Sequence, residues 1–267
     1  QYLCDTFKDT IDINKQNNDG NTAFMLAAHH HKNEKVVQSL CDAFKDTIDI
    51  NKQNKDGDTA FMLAAQHKNE KVIQYLCNTF KYMVDINKQD DNGYTTLMLA
   101  AGFNTNEKVI QYLCDTFKNA IDIGKQNNDG YTALMLAARF NTNEKVIQYL
   151  CNTFKDTIDI NQENNFGYTA LLLAAWLNRN TEVTCYLCNT FKDTVDINKQ
   201  DNNGNTAFML AAENNIYNTI LPYLRRLFKD KIDINKINND GKTALELAAQ
   251  NVSVPNLVLN CFTPHSK

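Results

Sequence analysis

The chain has 267 residues, of which 43% are hydrophobic and 22% are charged, and its formal net charge is -4 at pH 7. This composition excludes a disordered or collagen-like chain and lacks the basic excess typical of a nucleic-acid-binding surface. No apolar segment approaches the roughly 20 residues that cross a bilayer, so we expect no membrane association.

One sequence unit recurs along the whole chain. A glycine, followed one residue later by a block close to T-A-L-M-L-A-A, returns after 37, 36, 37, 37, 37 and 37 residues. A unit this small cannot bury its own apolar face, so the repetition indicates a solenoid of stacked units. We number the copies as units 1 to 7 by their turn glycines: Gly20, Gly57, Gly93, Gly130, Gly167, Gly204 and Gly241.

The chain begins inside a unit. Residues 1–16 match the second half of later units, such as residues 148–161, so we interpret residues 1–17 as a partial first repeat. An upstream targeting segment or a further domain stays open on this interpretation.

Unit 4 illustrates the predicted elements. Thr132 is expected to cap a short first helix that extends to Arg139, and Asn143 is expected to cap a second helix over residues 144–154. The alternating Ile158 and Ile160 predict a short extended arm that leads to the next turn. The apolar stripe of the second helix consists of Val146, Ile147, Leu150, Cys151 and Phe154.

Six of the eight cysteines recur at the same place in successive units. Stacked units place equivalent atoms about 10 Å apart, which exceeds the roughly 7 Å that a disulfide allows between α-carbons. We therefore predict reduced core cysteines in a reducing, intracellular compartment, the cytoplasm, and an ordinary helical pair for Cys185 and Cys188. The recurring cysteines are Cys4, Cys41, Cys77, Cys114, Cys151 and Cys188.

The pattern decays at the end of the chain. After Ala249 the sequence no longer follows the repeat, and Pro255 and Pro264 favour at most a short final helix. We interpret residues 238–267 as a degenerate C-terminal capping repeat.

The succession DGxTALxLAA, xEKVIxxL and DINxxNxxG resembles the ankyrin repeat. The resemblance covers essentially the whole chain as a single domain over residues 1–267, with six full repeats at the turn glycines of units 1 to 6. It implies an all-α fold, an ankyrin-repeat solenoid of stacked helix-turn-helix units with hairpin-like loops.

The units depart from the family pattern in length and in two positions. They exceed the usual length of roughly 33 residues by about one residue between the helices, which unit 2 lacks, and by about three residues after the second helix. The proline of the family is Ala in six units and Thr96 in unit 3, and its histidine is Met, Leu or Glu. We expect these changes to remove a preset helix start and a side-chain hydrogen bond.

The resemblance implies a non-catalytic, monomeric module that binds another protein on a concave face formed by hairpin tips and first helices. The residues independently contain no P-loop, no dinucleotide-binding glycine pattern and no nucleophile with a matching base, so we predict no enzyme activity and no cofactor. The histidines at 29–31 and His67 lack metal-ligand spacing and predict no metal site.

Two positions that face partners in this family become aromatic over units 3 to 5, while the flanking units stay polar. An aromatic patch with a polar rim is typical of a protein-binding hot spot. Alternatively, Phe103 and Phe140 fold under the inter-helix loop and the tyrosines only cover neighbouring hairpins, their repetition reflecting recent duplication. The predicted partner-binding residues are Tyr94, Phe103, Tyr131, Arg139, Phe140, Phe166, Tyr168 and Trp176.

Three functions remain open from the sequence. The first is a protein-binding module, which the Asn-, Lys- and Ile-rich composition makes compatible with a host-directed effector acting in the host cytosol. The second is a targeting or substrate-recruiting segment of a larger multidomain enzyme or effector whose catalytic part lies outside this chain. The third is a spacer, in which the aromatic residues would be buried or packed against each other.

Overall fold

The computed structural model describes residues 10–30, 34–67, 69–213, 219–250 and 262. Within these residues the regular elements are helices, and two isolated bridges pair Gln200 with Thr206 and Ile237 with Thr243. The all-α prediction is confirmed. Predictions that fall wholly or partly outside the described residues concern the partial first repeat, the end of the capping repeat, Cys4, His31, Pro255 and Pro264.

The helices, numbered along the chain, form two series. The first helices of the units are α1 (Ala23–His29), α3 (Ala60–Gln66), α5 (Thr96–Phe103), α7 (Ala133–Phe140), α9 (Ala170–Leu177), α11 (Ala207–Glu213) and α13 (Ala244–Ala249). The second helices are α2 (Glu34–Phe44), α4 (Glu70–Phe80), α6 (Glu107–Phe117), α8 (Glu144–Phe154), α10 (Thr181–Thr190) and α12 (Ile220–Phe228), the last followed by a 3-10 turn at Lys229–Lys231.

Each series forms one layer of the stack. First helices contact the first helices of the neighbouring units, and second helices contact second helices in the same way. In α8, Ile147, Leu150 and Cys151 are fully buried, as the apolar stripe predicts. None of the helices within the described residues has the length and apolarity needed to cross a bilayer.

Side-chain caps fix where the helices begin. The Thr132 hydroxyl accepts a hydrogen bond from the Met135 amide at 3.3 Å, and the Asn143 side chain accepts one from the Lys145 amide at 3.1 Å. These caps satisfy amides that the first turn of a helix leaves without a partner. The predicted start of both helices in unit 4 is therefore confirmed, and the predicted end of α8 is confirmed as well.

The methionines of the first helices contribute to the caps. In unit 2 the Thr59 amide donates to the Met62 sulfur at 3.4 Å, and in unit 7 the Thr243 amide donates to a Glu246 carboxylate oxygen at 2.7 Å. The expectation that a side-chain hydrogen bond is lost here is therefore wrong for these units. The same Thr-to-Met bond forms at Thr22, Thr95 and Thr206.

The additional residue of units 3 to 5 lies in the helix and not in the loop. Helices α5, α7 and α9 have eight residues, whereas α1, α3 and α11 have seven. Their last residues are Phe103, Phe140 and Leu177. For units 3 to 5, the expectation that the additional residue lies between the helices is therefore wrong, because this residue continues the first helix.

The turn glycine brings consecutive hairpin tips into contact. Gly130 has φ +82°, and a Cβ atom there would lie 2.7 Å from the Asn165 amide nitrogen. Only glycine fits this conformation and this close approach. Beside it, the Asn165 amide donates to the Asp129 carbonyl oxygen at 3.0 Å, and equivalent bonds join the other described tips.

The described cysteines are free. Cys41, Cys77, Cys114, Cys151 and Cys188 are buried, and Cys185 is partly exposed. Burial raises the pKa of the Cys151 thiol to about 12, which keeps this thiol protonated. The prediction that these residues are reduced core cysteines is confirmed for the five buried positions, and the compartment stays a prediction.

Candidate functional site

The tyrosine after each turn glycine of units 3 to 5 is fixed by its own hairpin tip. The Tyr131 amide donates to the Asn127 side-chain oxygen at 2.8 Å, and the Tyr94 amide donates to an Asp90 carboxylate oxygen at 2.7 Å. These bonds fix the backbone of the tyrosine at the tip, and the chain enters the helix cap one residue later.

Arg139, near the end of α7, connects two of the aromatic rings. Its guanidinium donates to the Tyr131 hydroxyl at 2.5 Å. Its central carbon lies 5.4 Å from the centre of the Tyr131 ring and 4.6 Å from the centre of the Phe140 ring. Such distances allow cation–π attraction to both rings. The Nε atom of the same guanidinium is buried and has no hydrogen-bond partner.

The phenylalanines that end α5 and α7 extend the aromatic surface toward unit 3. The rings of Phe103 and Phe140 lie 5.7 Å apart, and the rings of Tyr94 and Phe103 lie 6.3 Å apart. Phe103 is 47% exposed and Phe140 is 46% exposed. The alternative that these two side chains fold under the loop therefore does not describe the structure.

Unit 5 completes the surface with a second group of rings. Tyr168 and Trp176 stack at 5.3 Å, and Phe166, which is 50% exposed, lies 6.5 Å from the Tyr131 ring. Between units 4 and 5 these side chains border a cleft of about 320 Å³. Its lining residues are Asp129, Tyr131, Arg139, Phe166, Tyr168, Leu173 and Trp176.

The eight predicted residues thus form one contiguous surface, although they differ in exposure. Tyr131 is only 5% exposed, so it supports its neighbours more than it presents a surface of its own. The tyrosine alternative, in which these residues cover neighbouring hairpins, fits Tyr131 best. The ring contacts match the mutual packing expected of a spacer, whereas three half-exposed phenylalanines match a binding surface. Which of them binds a partner stays a prediction.

The hydroxyl groups of the partly buried tyrosines remain protonated. Burial raises the pKa of Tyr94 above its usual value, and the nearby Asp129 carboxylate adds to this rise. Burial also raises the pKa of Tyr168, with a further contribution from Asp201. Both side chains therefore offer a hydroxyl donor beside an apolar ring at neutral pH.

Buried asparagines, which were not predicted as site residues, join the ends of the first helices beneath this surface to the preceding unit. Asn141 follows α7, is 1% exposed and donates to the carbonyl oxygens of Ala101 at 2.8 Å and Asn104 at 2.9 Å. Asn104 and Asn178 make the same two contacts with the preceding unit. The N-x-N spacing in units 3 to 5 was the sequence signal for these buried asparagines. The spacing was interpreted only through the second asparagine of each pair, which caps the following helix.

The described histidines form a contact of rings, not a metal site. His29 lies 4.2 Å from His67 and 5.3 Å from His30, measured between ring centres. Within the described residues, His, Cys, Asp and Glu side chains form no group of three or more that could hold a metal ion.

Two larger clefts lie on the opposite edge, between the loops that follow the second helices. One of about 530 Å³ contains Gly124 and Phe154, and one of about 410 Å³ contains Asn161 and Phe191. Most of their lining residues recur in the other units, with Gly124 as an exception. These two clefts follow from the stacking itself, in contrast to the aromatic cleft.

A sequence model described as ankyrin repeats (3 copies) matches the chain over residues 1–90, 46–127, 77–164, 115–195 and 189–260. The chain belongs to the ankyrin repeat family. No curated protein matches its sequence. Ankyrin repeats are protein-interaction modules that use extended surfaces of stacked units.

A solved ankyrin repeat domain has the same fold. The chain is similar to the ankyrin repeat domain of Bcl-3, described as a unique member of the IkappaB protein family, with a TM-score of 0.68 and 21% sequence identity. The match covers 91% of this chain and 98% of that chain. At this identity the likeness shows the fold alone, and the partners of Bcl-3 are not transferred to this ankyrin domain.

Proposed function

We propose that this ankyrin domain is a non-catalytic protein-binding module that holds its partner on the aromatic surface of units 3 to 5. The observation that carries the proposal is the exposure of Phe103, Phe140 and Phe166 around the Tyr131 and Arg139 pair. Large side chains left half exposed lose a favourable free energy of burial, which a partner can recover.

The chemistry of the surface fits the centre of an interface. Rigid aromatic rings and one arginine provide a large contact area at a small cost in side-chain entropy, and such residues dominate binding energies at interfaces.

The first prediction concerns removal of the exposed rings. Phe140→Ala combined with Phe166→Ala is expected to weaken binding of a partner recovered by pull-down at least tenfold, about 1.4 kcal/mol, because both rings would lose their contact area. The matched control is Tyr82→Ala, which removes a ring that is 92% exposed in the loop after α4. Affinities are measured by biolayer interferometry, and circular dichroism verifies that the helical content is retained.

The spacer alternative makes the opposite prediction. If no partner contact lies on this surface, the double variant and the Tyr82 variant bind equally. Photo-crosslinking decides the position directly, because a benzophenone side chain at Phe166 should form adducts with the partner, whereas one at Tyr82 should not. Adducts only from position 82 would place the interface on the opposite edge and refute the proposal.

A further inference from the structure

The hairpin tips of units 1 to 3 carry an excess of negative charge. We define a tip as the five residues from three before the turn glycine to one after it. Residues 17–21, 54–58 and 90–94 contain five carboxylates and one ammonium group, whereas the tips of units 4 to 7 contain three carboxylates and one ammonium group. The charged residues of the first three tips are Asp19, Lys55, Asp56, Asp58, Asp90 and Asp91.

Two of these carboxylates stand where other units place a pair of amides. Asn54 donates from its side chain to the Asn21 side-chain oxygen at 3.0 Å, joining the tips of units 1 and 2. The same register between units 2 and 3 brings Asp58 beside Asp90. Two ionised carboxylates can only accept hydrogen bonds, so they repel each other where the amides attract.

This repulsion is not relieved within the described part of the protein. Burial raises the pKa of Asp58 to about 6, and the nearby carboxylates of Asp90, Asp56 and Asp91 add to the rise. The ion pairs among the described residues lie elsewhere, for example between Lys71 and Glu34 on the second helices. The carboxylates at the tip of unit 3 therefore take part in none of the ion pairs among the described residues.

The acidic tips and the aromatic surface are continuous. Asp90 accepts the Tyr94 amide at 2.7 Å, and the Tyr94 ring lies 6.3 Å from the Phe103 ring. Phe103 in turn contacts Phe140. A partner segment that extends from the phenylalanines along Tyr94 therefore reaches the acidic tip of unit 3.

We infer that the segment of the partner that lies on this face is basic. Its lysine or arginine side chains contact Asp58 and Asp90, and an adjacent apolar side chain packs on Phe103 and Phe140. The inference rests on the proposed function and adds the charge of the partner. Cations would replace repulsion between carboxylates by attraction, and an acidic segment would be rejected by the same charges.

Selection from a phage library of random peptides, about 16 residues long, on the immobilised full chain tests the inference. We expect enrichment of lysine and arginine within a few residues of an apolar or aromatic side chain. The selected peptides are then synthesised with a fluorophore, and their affinities are measured by fluorescence polarisation. Raising the salt concentration from about 50 mM to about 500 mM should weaken binding by tenfold or more, because exposed charge pairs are screened.

Variants separate the charge from the apolar contact. Asp58→Asn with Asp90→Asn should weaken binding of the selected peptides about tenfold. Asp46→Asn with Asp156→Asn removes the same charge from the exposed loops after the second helices and should leave the affinity unchanged. Phe103→Ala with Phe140→Ala should also weaken binding about tenfold.

The possible outcomes distinguish this inference from the proposed function. Peptides that are neutral or acidic, or that bind the Asp58 and Asp90 variant as tightly as the wild type, would overturn the basic partner. If the same peptides still require Phe103 and Phe140, the proposed binding surface stands. Peptides that bind without any dependence on the aromatic residues would refute both, and a selection without enrichment would count against the basic segment.

Discussion

The residue after each turn glycine determines how two neighbouring hairpin tips interact. An amide pairs with the amide of the next tip, as Asn205 does with Asn238 at 2.9 Å. A carboxylate at this place, Asp58, meets a second carboxylate and is destabilised. The tyrosines of units 3 to 5 place an aromatic ring there. The position after the turn glycine thus carries an amide that attracts the next tip, a carboxylate that repels it or an aromatic ring, and the backbone stays the same.

Asp58→Asn is expected to stabilise the fold at neutral pH. The pKa of Asp58 rises from 3.8 to about 6 on folding, so the folded protein binds this proton more tightly than the unfolded chain. The free energy of unfolding therefore falls as the pH rises from about 4 to about 6, and the loss is complete above that range. Asparagine carries no such proton and can donate to Asp90. We expect a gain of about 1 kcal/mol at about pH 7.5, allowing for the half-exposed site.

Urea denaturation at about pH 4 and about pH 7.5 measures this effect. The difference between Asp58→Asn and wild type should be much smaller at the lower pH, where the carboxyl group is protonated in the folded state and partly protonated in the unfolded chain. Asp46→Asn, in an exposed loop, is the control for loss of one negative charge from the whole molecule. A gain that is equal at both values would show that amide packing, and not charge, stabilises the variant.

The three central tyrosines show why the sequence could not predict exposure. Each follows a turn glycine, but only Tyr131 has an arginine of its own unit, Arg139, against its ring and hydroxyl. A second difference comes from the following unit, which places Phe166 against Tyr131. The same position in the next tip is Asp129 for Tyr94 and Asn203 for Tyr168. Predicting burial therefore required the register between units as well as the pattern within one.

At the scale of the element, the extended first helices and the loops after them act together. Helices α5, α7 and α9 end one residue later than α3, and the next residue is a buried asparagine that bonds to the preceding unit. Periodicity and caps predicted the helices because these signals lie within one unit. The bonds between loops were not predicted, since a buried amide and a solvated one have the same sequence.

Asn141→Ala is expected to destabilise the protein by about 2 to 4 kcal/mol. The amide is 1% exposed, and its loss leaves two buried carbonyl oxygens, those of Ala101 and Asn104, without their donors. It also removes the acceptor for the Asn143 amide. Urea denaturation followed by circular dichroism measures the change in the free energy of unfolding.

Thr142→Ala is the matched control for this loop. Thr142 is exposed, and only its backbone carbonyl oxygen, which the substitution retains, bonds to the next unit. We expect a change within about 0.5 kcal/mol. If the two variants proved equally stable, the buried asparagine would be neutral and water would satisfy the carbonyl oxygens in its absence.

At the scale of the whole molecule, side-chain hydrogen bonds join the bases of most described hairpins to the next unit. Asn161 donates to the Thr194 carbonyl oxygen at 2.8 Å and accepts the Asp196 amide at 2.8 Å. Both bonds recur at Asn14, Asn51, Asn87 and Asn198. We refer to this pair of bonds as the asparagine bridge.

No asparagine bridge joins unit 4 to unit 5, because Gly124 occupies the position of the bridging asparagine. Gln162 compensates in part by donating to the Gly124 carbonyl oxygen at 3.0 Å. The stability of a repeat protein is approximately a sum over units and the interfaces between them, so a missing bridge weakens one interface specifically. This interface also contains the aromatic cleft, and its hairpin bases are therefore less firmly joined than those of its neighbours.

Gly124→Asn is expected to restore the bridge and to stabilise the protein by about 1 to 2 kcal/mol, partly through the new hydrogen bonds and partly through loss of glycine freedom in the unfolded chain. A Cβ atom fits there, because its nearest neighbours, oxygens of Asp122 and Gln162, lie 3.7 Å away. Gly124→Ala separates the two contributions, since it adds the Cβ atom without the amide. Urea denaturation of both variants gives the difference.

Hydrogen exchange gives an independent test: the Asp159 amide should become protected in the Asn variant and stay unprotected in the Ala variant. Equal exchange in the two variants would show that no bridge forms, whatever the gain in stability.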